Sequence, residues 1–455
     1  MIALTLKEVA GACGGRLAGA DPDRLVRGIS IDSRTLREGD LFVALRGEHA
    51  DGHRFVADAL ARGAAAVLVR EQPERARDAV VVADPLAALA GLALAVRDRL
   101  RARVIAVTGS SGKTCTKDFT AAAAGTVRRV VASRASHNNE IGVPLTVCAA
   151  GEETEVLVAE VGSRGRGHIA ALAPVLRPDV AVITNVGSAH AGMFGSIEAT
   201  AEAKAELVDA LGPEGVAVLN GDDERVASMA SRAPRAILFG AGRDVRAEDV
   251  RFDDAARARF TLVTPWGSAP VALRLPGAHM VANALAAAAA AHEAGAGVED
   301  AARGLSEATG PAGRMQVREI GSRRVIDDAY NANPESTAAA LKALVSMAGG
   351  RPTWAVLGHM AELGQESMDA HDRIGRLVVR LGVAHLVTVG EEARAMHEAA
   401  RLEGFFDPGE ALFAAGVEEA IELLRTRAEA DAIVLVKASR AAGLDRLVRA
   451  LEEQA

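Results

Sequence analysis

Cysteine, aromatic side chains and long apolar runs are all scarce in this chain of 455 residues. Its three cysteines, Cys13, Cys115 and Cys148, form neither a C-x-x-C pair nor a metal-ligand spacing. Structural disulfides and a cysteine-bound metal are therefore not expected, and a reducing cytoplasm is the expected compartment. Cys115 sits beside a glycine-rich loop and reads as a small buried side chain. Aromatics make up 3% of the chain while Gly and Ala abound, a composition suited to helices packed closely on sheets. There is no basic excess either. The net charge of -8 argues against a general nucleic-acid binder, which needs a basic face to neutralise phosphates. The opening M-I-A-L-T-L-K-E-V-A lacks the basic start and apolar core of a signal peptide. No uncharged apolar run is long enough to span a bilayer, and Ala282 to Ala291 is too short. No membrane insertion is expected.

What is present is alternation of short β-branched runs with helical stretches. A chain of this length is too long for one core. The expected fold class is α/β with three domains, residues 1–83, 84–312 and 313–455. The first is a small α/β unit with strands at Arg27–Ile31, Leu41–Leu45 and Ala65–Val69 and a helix at Phe55–Arg62, closed by Asp84-Pro85. In the second, Val104–Val107, Val156–Ala159, Val180–Thr184 and Val216–Leu219 lie between helical stretches, the pattern of a parallel sheet buried on both faces. Gly310-Pro311-Ala312-Gly313 reads as a linker. Beyond it, strands at Trp354–Leu357, Leu386–Val389 and Ile433–Val436 and helices at Asp369–Leu381 and Val417–Arg425 predict a second doubly wound, Rossmann-like sheet.

Val107 to Thr114 read V-T-G-S-S-G-K-T, a phosphate-binding loop whose glycines stand closer than in G-x-x-x-x-G-K-[ST]. Gly109 and Gly112 let backbone N–H groups turn toward phosphate oxygens, with Ser110 and Ser111 between them. Lys113 would pair with the outer phosphates, and Thr114 would offer a hydroxyl to Mg²⁺. Two further strands end at polar residues, one at Glu160 and one running on to His190. Because open α/β sheets bind ligands beyond the carboxyl ends of their strands, loop, Glu160 and His190 are expected at one spot. Alone, the loop has a tight turn as its competitor, and Glu160 a solvated strand end; together they favour a nucleotide site. Lys204, in the helical stretch Ser196–Leu211, has no acid at i±3 or i±4, so the usual surface ion pair is missing. Val325 to Ser336 read V-I-D-D-A-Y-N-A-N-P-E-S, a dense polar cluster holding the only tyrosine, with Pro334 placed to open a helix. It reads as a ligand-facing loop, a polar turn being the plainer alternative.

Together these residues resemble the Mur ligase superfamily, whose phosphate loop has the short form T-G-[ST]-x-G-K-T. D-D-A-Y-N-A-N-P from Asp327 resembles the signature of the MurF type, which joins D-alanyl-D-alanine to UDP-N-acetylmuramoyl-tripeptide. Further matches run from I-D-S-R-T-L-R-E-G-D-L-F-V-A-L-R-G at Ile31 through N-N-E-I-G-V-P-L-T at Asn138 and N-V-G-S-A-H at Asn185 to V-K-A-S-R at Val436. The resemblance implies a cytoplasmic, monomeric, ATP-dependent ligase of peptidoglycan synthesis, with residues 1–83 receiving the UDP-linked substrate, 84–312 binding ATP and 313–455 completing the site. It implies that Lys113 binds the ATP phosphates and that Thr114, Glu160 and His190 help hold Mg²⁺, two ions in all. Lys204 falls where these ligases carry a lysine carbamylated by CO₂. Lys113, Lys204 and His190 are the implied catalytic set. Asn283, Arg314 and Asp328 match nucleotide-contacting positions, Ser33 and Arg34 the uridine diphosphate strip, and Asn138 and Asn139 the substrate face. Tyr330 and Asn331 are assigned to the incoming dipeptide.

Three positions depart from the family pattern: His359 stands in L-G-H-M for L-G-D-M, Ala438 in K-A-S-R for K-G-S-R, and His168 in G-H-I for G-E-I. Two rivals remain at this stage. One is a sister ligase that adds a single amino acid or acts on folate; the other is a non-catalytic nucleotide switch using the same loop.

Overall fold

The structure is a computed structural model describing residues 1–47, 50–72, 78–187, 194–405, 407 and 409–453. Three main sheets follow one another along the chain. The first has five strands in the order Arg16–Ala18, Ala79–Val81, Ala66–Val69, Asp40–Val43, Gly28–Ser30, parallel except at the Arg16–Ala18 edge. The central sheet is parallel throughout its six strands, ordered Arg235–Phe239, Val216–Asn220, Val180–Ile183, Arg103–Thr108, Val156–Glu160, Val130–Ala132. The third sheet also has six strands, parallel but for the hairpin of Gln316–Ile320 with Arg323–Asp328.

Side-chain alternation explains why the central strands are apolar throughout. In Arg103–Thr108, Val104 and Ala106 face the packing shared with the N-terminal unit, while Ile105 and Val107 face the opposite core with helices Lys113–Gly125 and His279–Glu293. Both faces are covered, so no polar alternation survives. Ile2, Leu4 and Leu6 join the same buried cluster as Leu157 and Ala159, and Ile2 N donates to Ala150 O at 3.1 Å. The first sheet is thus anchored to the second by shared apolar packing.

Local chemistry sets the helix starts. Asp84 accepts from Leu86 N at 2.8 Å, with Pro85 in the first turn, to begin Pro85–Arg99. Asn333 caps Pro334–Ser346 by accepting from Ser336 N at 2.8 Å, and the Ser336 hydroxyl closes the capping box. The expected α/β class and every strand named from the sequence are present, with ends shifted by a few residues. Missing from that reading were short or edge strands such as Val130–Ala132, Arg235–Phe239 and Ala411–Ala414. An antiparallel sheet of Arg246–Phe252, Arg257–Thr264 and Gly267–Pro276 was also missed. Charged residues facing solvent interrupt the apolar pattern there: Arg246–Phe252 is largely exposed along its length.

Helix Val298–Glu307 braces the helix that starts at the phosphate loop. A Cβ on Gly304 would lie 2.4 Å from Ala122 O and 2.7 Å from Ala123 Cα. Only backbone fits at this crossing. Gly304→Leu is therefore expected to cost about 1–3 kcal/mol by overpacking, visible as a lowered unfolding midpoint; an unchanged midpoint would refute the close approach.

Candidate functional site

The three middle strands of the central sheet end almost level. Glu160 pairs in register with Val107, and Ile183 with Thr108. The loop at 109–112, the Glu160 carboxylate and the chain after Ile183 therefore emerge at one rim, on either side of the strand where the chain order switches direction.

The loop keeps its shape through partners on the neighbouring strand end. Asn185 O accepts from Ser110 N at 3.0 Å, and Asn185 Oδ1 accepts from Ser111 N at 2.8 Å. The Thr184 hydroxyl donates to Ser111 O at 2.6 Å. Gly109 (φ 149°) and Gly112 (φ 81°) have no room for a side chain: a Cβ would meet Thr184 Oγ1 at 1.9 Å and Asn283 Oδ1 at 2.5 Å. Asn185 thus occupies the amides of Ser110 and Ser111. Gly112 then opens helix Lys113–Gly125, whose N-terminal dipole favours an anion. Lys113 Nζ lies over the loop, donating to Gly109 O at 2.7 Å. Burial pushes its ammonium below the ordinary lysine range; Glu160 opposes that shift and Arg314 adds to it.

Glu160 is 1% exposed. Its Oε1 accepts from Asn138 Nδ2 at 2.7 Å, while Oε2 is buried without a hydrogen-bond partner. An orphaned buried carboxylate oxygen beside a loop threonine is a hard-oxygen donor suited to Mg²⁺, so these residues fit that ion. Thr114 and Glu160 would hold it. Among the described residues no group of three His, Cys, Asp or Glu gathers as a further metal cluster. His190, the third expected ligand, lies outside the described residues.

Lys204 is 2% exposed on helix Ile197–Asp209, which Ser196 caps through Ala199 N at 3.1 Å. Its Nζ lies 5.9 Å from the centre of the Phe194 ring, and no carboxylate among the described residues pairs with it. Burial, helped by the Lys113 charge, brings its amine down to about 7. The missing acid at i±3 and i±4 signalled a special lysine, but only the fold reveals that it is buried.

The third sheet closes the site from the other side. Asn333 Nδ2 donates to Ser111 Oγ at 2.9 Å, so the residue that caps helix Pro334–Ser346 also touches the phosphate loop. Arg314 donates to Ser136 Oγ at 3.0 Å, and that hydroxyl lies 3.1 Å from Thr114 Oγ1. Lys117, buried in the loop's helix, donates to Ser133 O at 2.7 Å and Ala135 O at 3.3 Å, fixing the segment that presents Ser136. Asp328 is paired with Lys437 Nζ at 2.6 Å and accepts from Met315 N at 3.1 Å; burial raises its carboxyl above the usual range. Burial also pushes the His279 imidazole down to about 4, so it faces the site neutral.

One cavity of about 640 Å³ collects nearly all of this. Its lining includes Gly109, Ser110, Ser111, Gly112, Lys113, Thr114, Asn138, Asn139, Glu160, Lys204, Asn283, Arg314, Asp328, Tyr330 and Asn331. Asn139 Oδ1 also accepts from Gly142 N at 2.9 Å, setting the start of helix Gly142–Ala149. Ser33 and Arg34 are not in this lining. Ser33 is buried, and the largely exposed Arg34 pairs with Asp32 at 2.7 Å on the N-terminal sheet. Ser136, Lys117 and Asn185 were not assigned from the sequence. Asn185 opens the N-V-G-S-A-H stretch and Ser136 lies just before N-N-E-I-G-V-P-L-T; Lys117 carries no local signal, since its role depends on burial.

Three family models match the chain: Mur ligase family, catalytic domain, over 25–98; Mur ligase middle domain over 107–291; and Mur ligase, glutamate ligase domain, over 313–440. The UDP-N-acetylmuramoyl-tripeptide–D-alanyl-D-alanine ligase of Mycobacterium tuberculosis is 44% identical, covering 99% of this chain and 98% of that protein. Among solved structures, MurF from Acinetobacter baumannii superposes with a TM-score of 0.86 at 33% identity, covering 99% of both chains. MurF ligase from Thermotoga maritima in complex with ADP has a TM-score of 0.81 at 29% identity, covering 94% of this chain and 99% of that one. The chain belongs to the Mur ligase family, in the branch whose members are named UDP-N-acetylmuramoyl-tripeptide–D-alanyl-D-alanine ligase.

Proposed function

We propose that this protein is the cytoplasmic, monomeric ligase that joins D-alanyl-D-alanine to UDP-N-acetylmuramoyl-tripeptide at the expense of ATP. The observation that carries this reading is a cavity between central rim and third sheet, with phosphate loop, buried carboxylate and third-domain cations on its walls. In this reading residues 1–83 receive the uridine diphosphate end at Ser33 and Arg34, 84–312 bind ATP, and 313–455 carry the acceptor side at Tyr330 and Asn331. A separate sheet in each stretch supports the division.

The reaction begins when the terminal carboxylate of the tripeptide attacks the γ-phosphorus of ATP. An O–P bond forms, the bond to the β-phosphate bridging oxygen breaks, and ADP leaves. The free amine of D-alanyl-D-alanine then attacks the acyl carbon of the acyl phosphate, and inorganic phosphate leaves with the C–O bond as the amine loses a proton. Such transfers depend on positioning and charge neutralisation. Lys113 neutralises phosphate charge at the loop, the helix N-terminus adds its dipole, and Arg314 brings a second cation from across the linker. Magnesium held by Thr114 and Glu160, with His190, would offset repulsion between carboxylate and triphosphate. Contacts of Asn333 with Ser111 and Arg314 with Ser136 support a closed arrangement that keeps water from the acyl phosphate. Burial of Lys204 supports its modification: a neutral amine attacks the carbon of CO₂, forms an N–C bond and loses a proton, giving a carbamate anion at the cavity wall.

ADP production is expected to require the UDP-linked tripeptide and D-alanyl-D-alanine together. Turnover with a single amino acid would favour a sister ligase, and turnover with no acceptor a nucleotide switch. Lys113→Ala should lower ligation at least about 100-fold with an unaltered circular-dichroism spectrum; wild-type turnover would remove the loop from the mechanism. Because Lys204 is neutral only above about pH 7, labelled ¹³CO₂ should give a carbamate resonance at alkaline pH that fades as pH falls through neutrality. The resonance should be absent in Lys204→Ala, and that variant should regain activity with small carboxylic acids. A resonance that survives the substitution, or full activity without additive, would sink the assignment.

A further inference from the structure

Of the cations on the third-domain wall of the cavity, all but one are already engaged. Lys437 Nζ is held by Asp328 Oδ2 at 2.6 Å and by Asn331 O at 2.8 Å. Arg314 reaches across to Ser136 Oγ at 3.0 Å. The Arg440 side chain alone has no hydrogen bond or carboxylate partner among the described residues; it is exposed and lines the cavity. Its guanidinium carbon lies 5.3 Å from the Tyr330 ring centre, while Arg314 stacks on that ring at 4.4 Å. One tyrosine therefore carries two guanidiniums, of which one is turned to the phosphate-loop side and the other remains available.

The backbone at Arg440 is fixed as firmly as its side chain is free. Ser439 N donates to His359 O at 2.9 Å, Ala361 N donates to Ser439 Oγ at 2.9 Å, and Ser439 Oγ donates to Ala332 O at 3.3 Å. Three strand-end loops of the third sheet are thus tied together at the residue before Arg440. In V-K-A-S-R, Lys437 and Ser439 are consumed in holding the wall, and Arg440 is what the wall presents. An arginine preset on an aromatic face, without an acid to neutralise it, favours a planar carboxylate that takes two parallel N–H bonds.

We propose that Arg440, positioned by Tyr330, is the specificity-determining residue that binds the free C-terminal carboxylate of the incoming dipeptide. This rests on the proposed function, in which an amine acceptor bearing one carboxylate enters from the third-domain side. The acceptor amine must be neutral and mobile enough to attack the acyl carbon, so the carboxylate at its far end is the group by which a charged wall can orient it.

The test is steady-state kinetics of the full-length wild type, Arg440→Met and Arg440→Lys with D-alanyl-D-alanine and with its C-terminal amide. Ligation of D-alanyl-D-alanine by the wild type is the control that belongs to the proposed function, and its failure would count against that reading. With that control positive, Arg440→Met should raise the KM for the dipeptide by about 10- to 100-fold, with the KM for ATP moving less than about two-fold. Wild type should disfavour the amide by a similar factor, and Arg440→Met should treat acid and amide alike. Arg440→Lys should recover part of the discrimination, since it restores charge without the planar fork. If Arg440→Met still prefers the acid as strongly as wild type does, or if wild type accepts the amide equally well, the proposal is overturned. The wild-type comparison is informative even if a variant does not fold.

Discussion

The site depends on register. Parallel pairing holds Val107 beside Glu160 and Thr108 beside Ile183, so three strands deliver their carboxyl ends to one rim. A slip of one residue would turn Glu160 to the other face of the sheet and remove the carboxylate from the loop. Apolar burial on both faces protects that register, because each strand would lose its packing partners on sliding. The chemistry of the rim is thus secured by valine, isoleucine and alanine residues that never touch a ligand.

On that rim, polar groups divide into those that shape the site and those left to act. Asn185 and Thr184 hold the short loop, Lys117 fixes the segment before Ser136, and Lys437 holds Asp328. Among the described residues Glu160 Oε2 is left without a hydrogen-bond partner, and neither the Lys204 amine nor the Arg440 guanidinium is paired with a carboxylate. Burial is costly for the first two unless a ligand or a modification satisfies them, whereas Arg440 is exposed. Their location around one cavity connects local energetics to a reaction among several anions.

The central and third domains share one apolar cluster, and well-aimed polar contacts join them at the site. Asn333 does two things at once, ending the Y-N-A-N-P loop as a helix cap and bonding Ser111. Ser136 likewise stands between Thr114 and Arg314. One contact reaches the phosphate loop itself and the other a hydroxyl bonded to the first turn of its helix, which makes the approach of that domain part of assembling the site.

Much of this was legible in the chain itself. Runs such as V-I-A-V and V-L-V-A determined buried parallel strands, since β-branched residues without polar alternation suit a sheet covered on both sides. Gly109, Gly112, Lys113 and the Asp327–Pro334 cluster announced a loop and a helix start through local conformational preference. Edge strands escaped notice because solvent on one face lets charged residues into them, as in R-A-E-D-V-R-F. The burial of Lys204, the orphaned oxygen of Glu160 and the support that Asn185 lends to the loop were decided by tertiary structure alone. Desolvation and hydrogen-bond satisfaction are properties of what surrounds a residue, and for these the surroundings come from segments tens to hundreds of positions away.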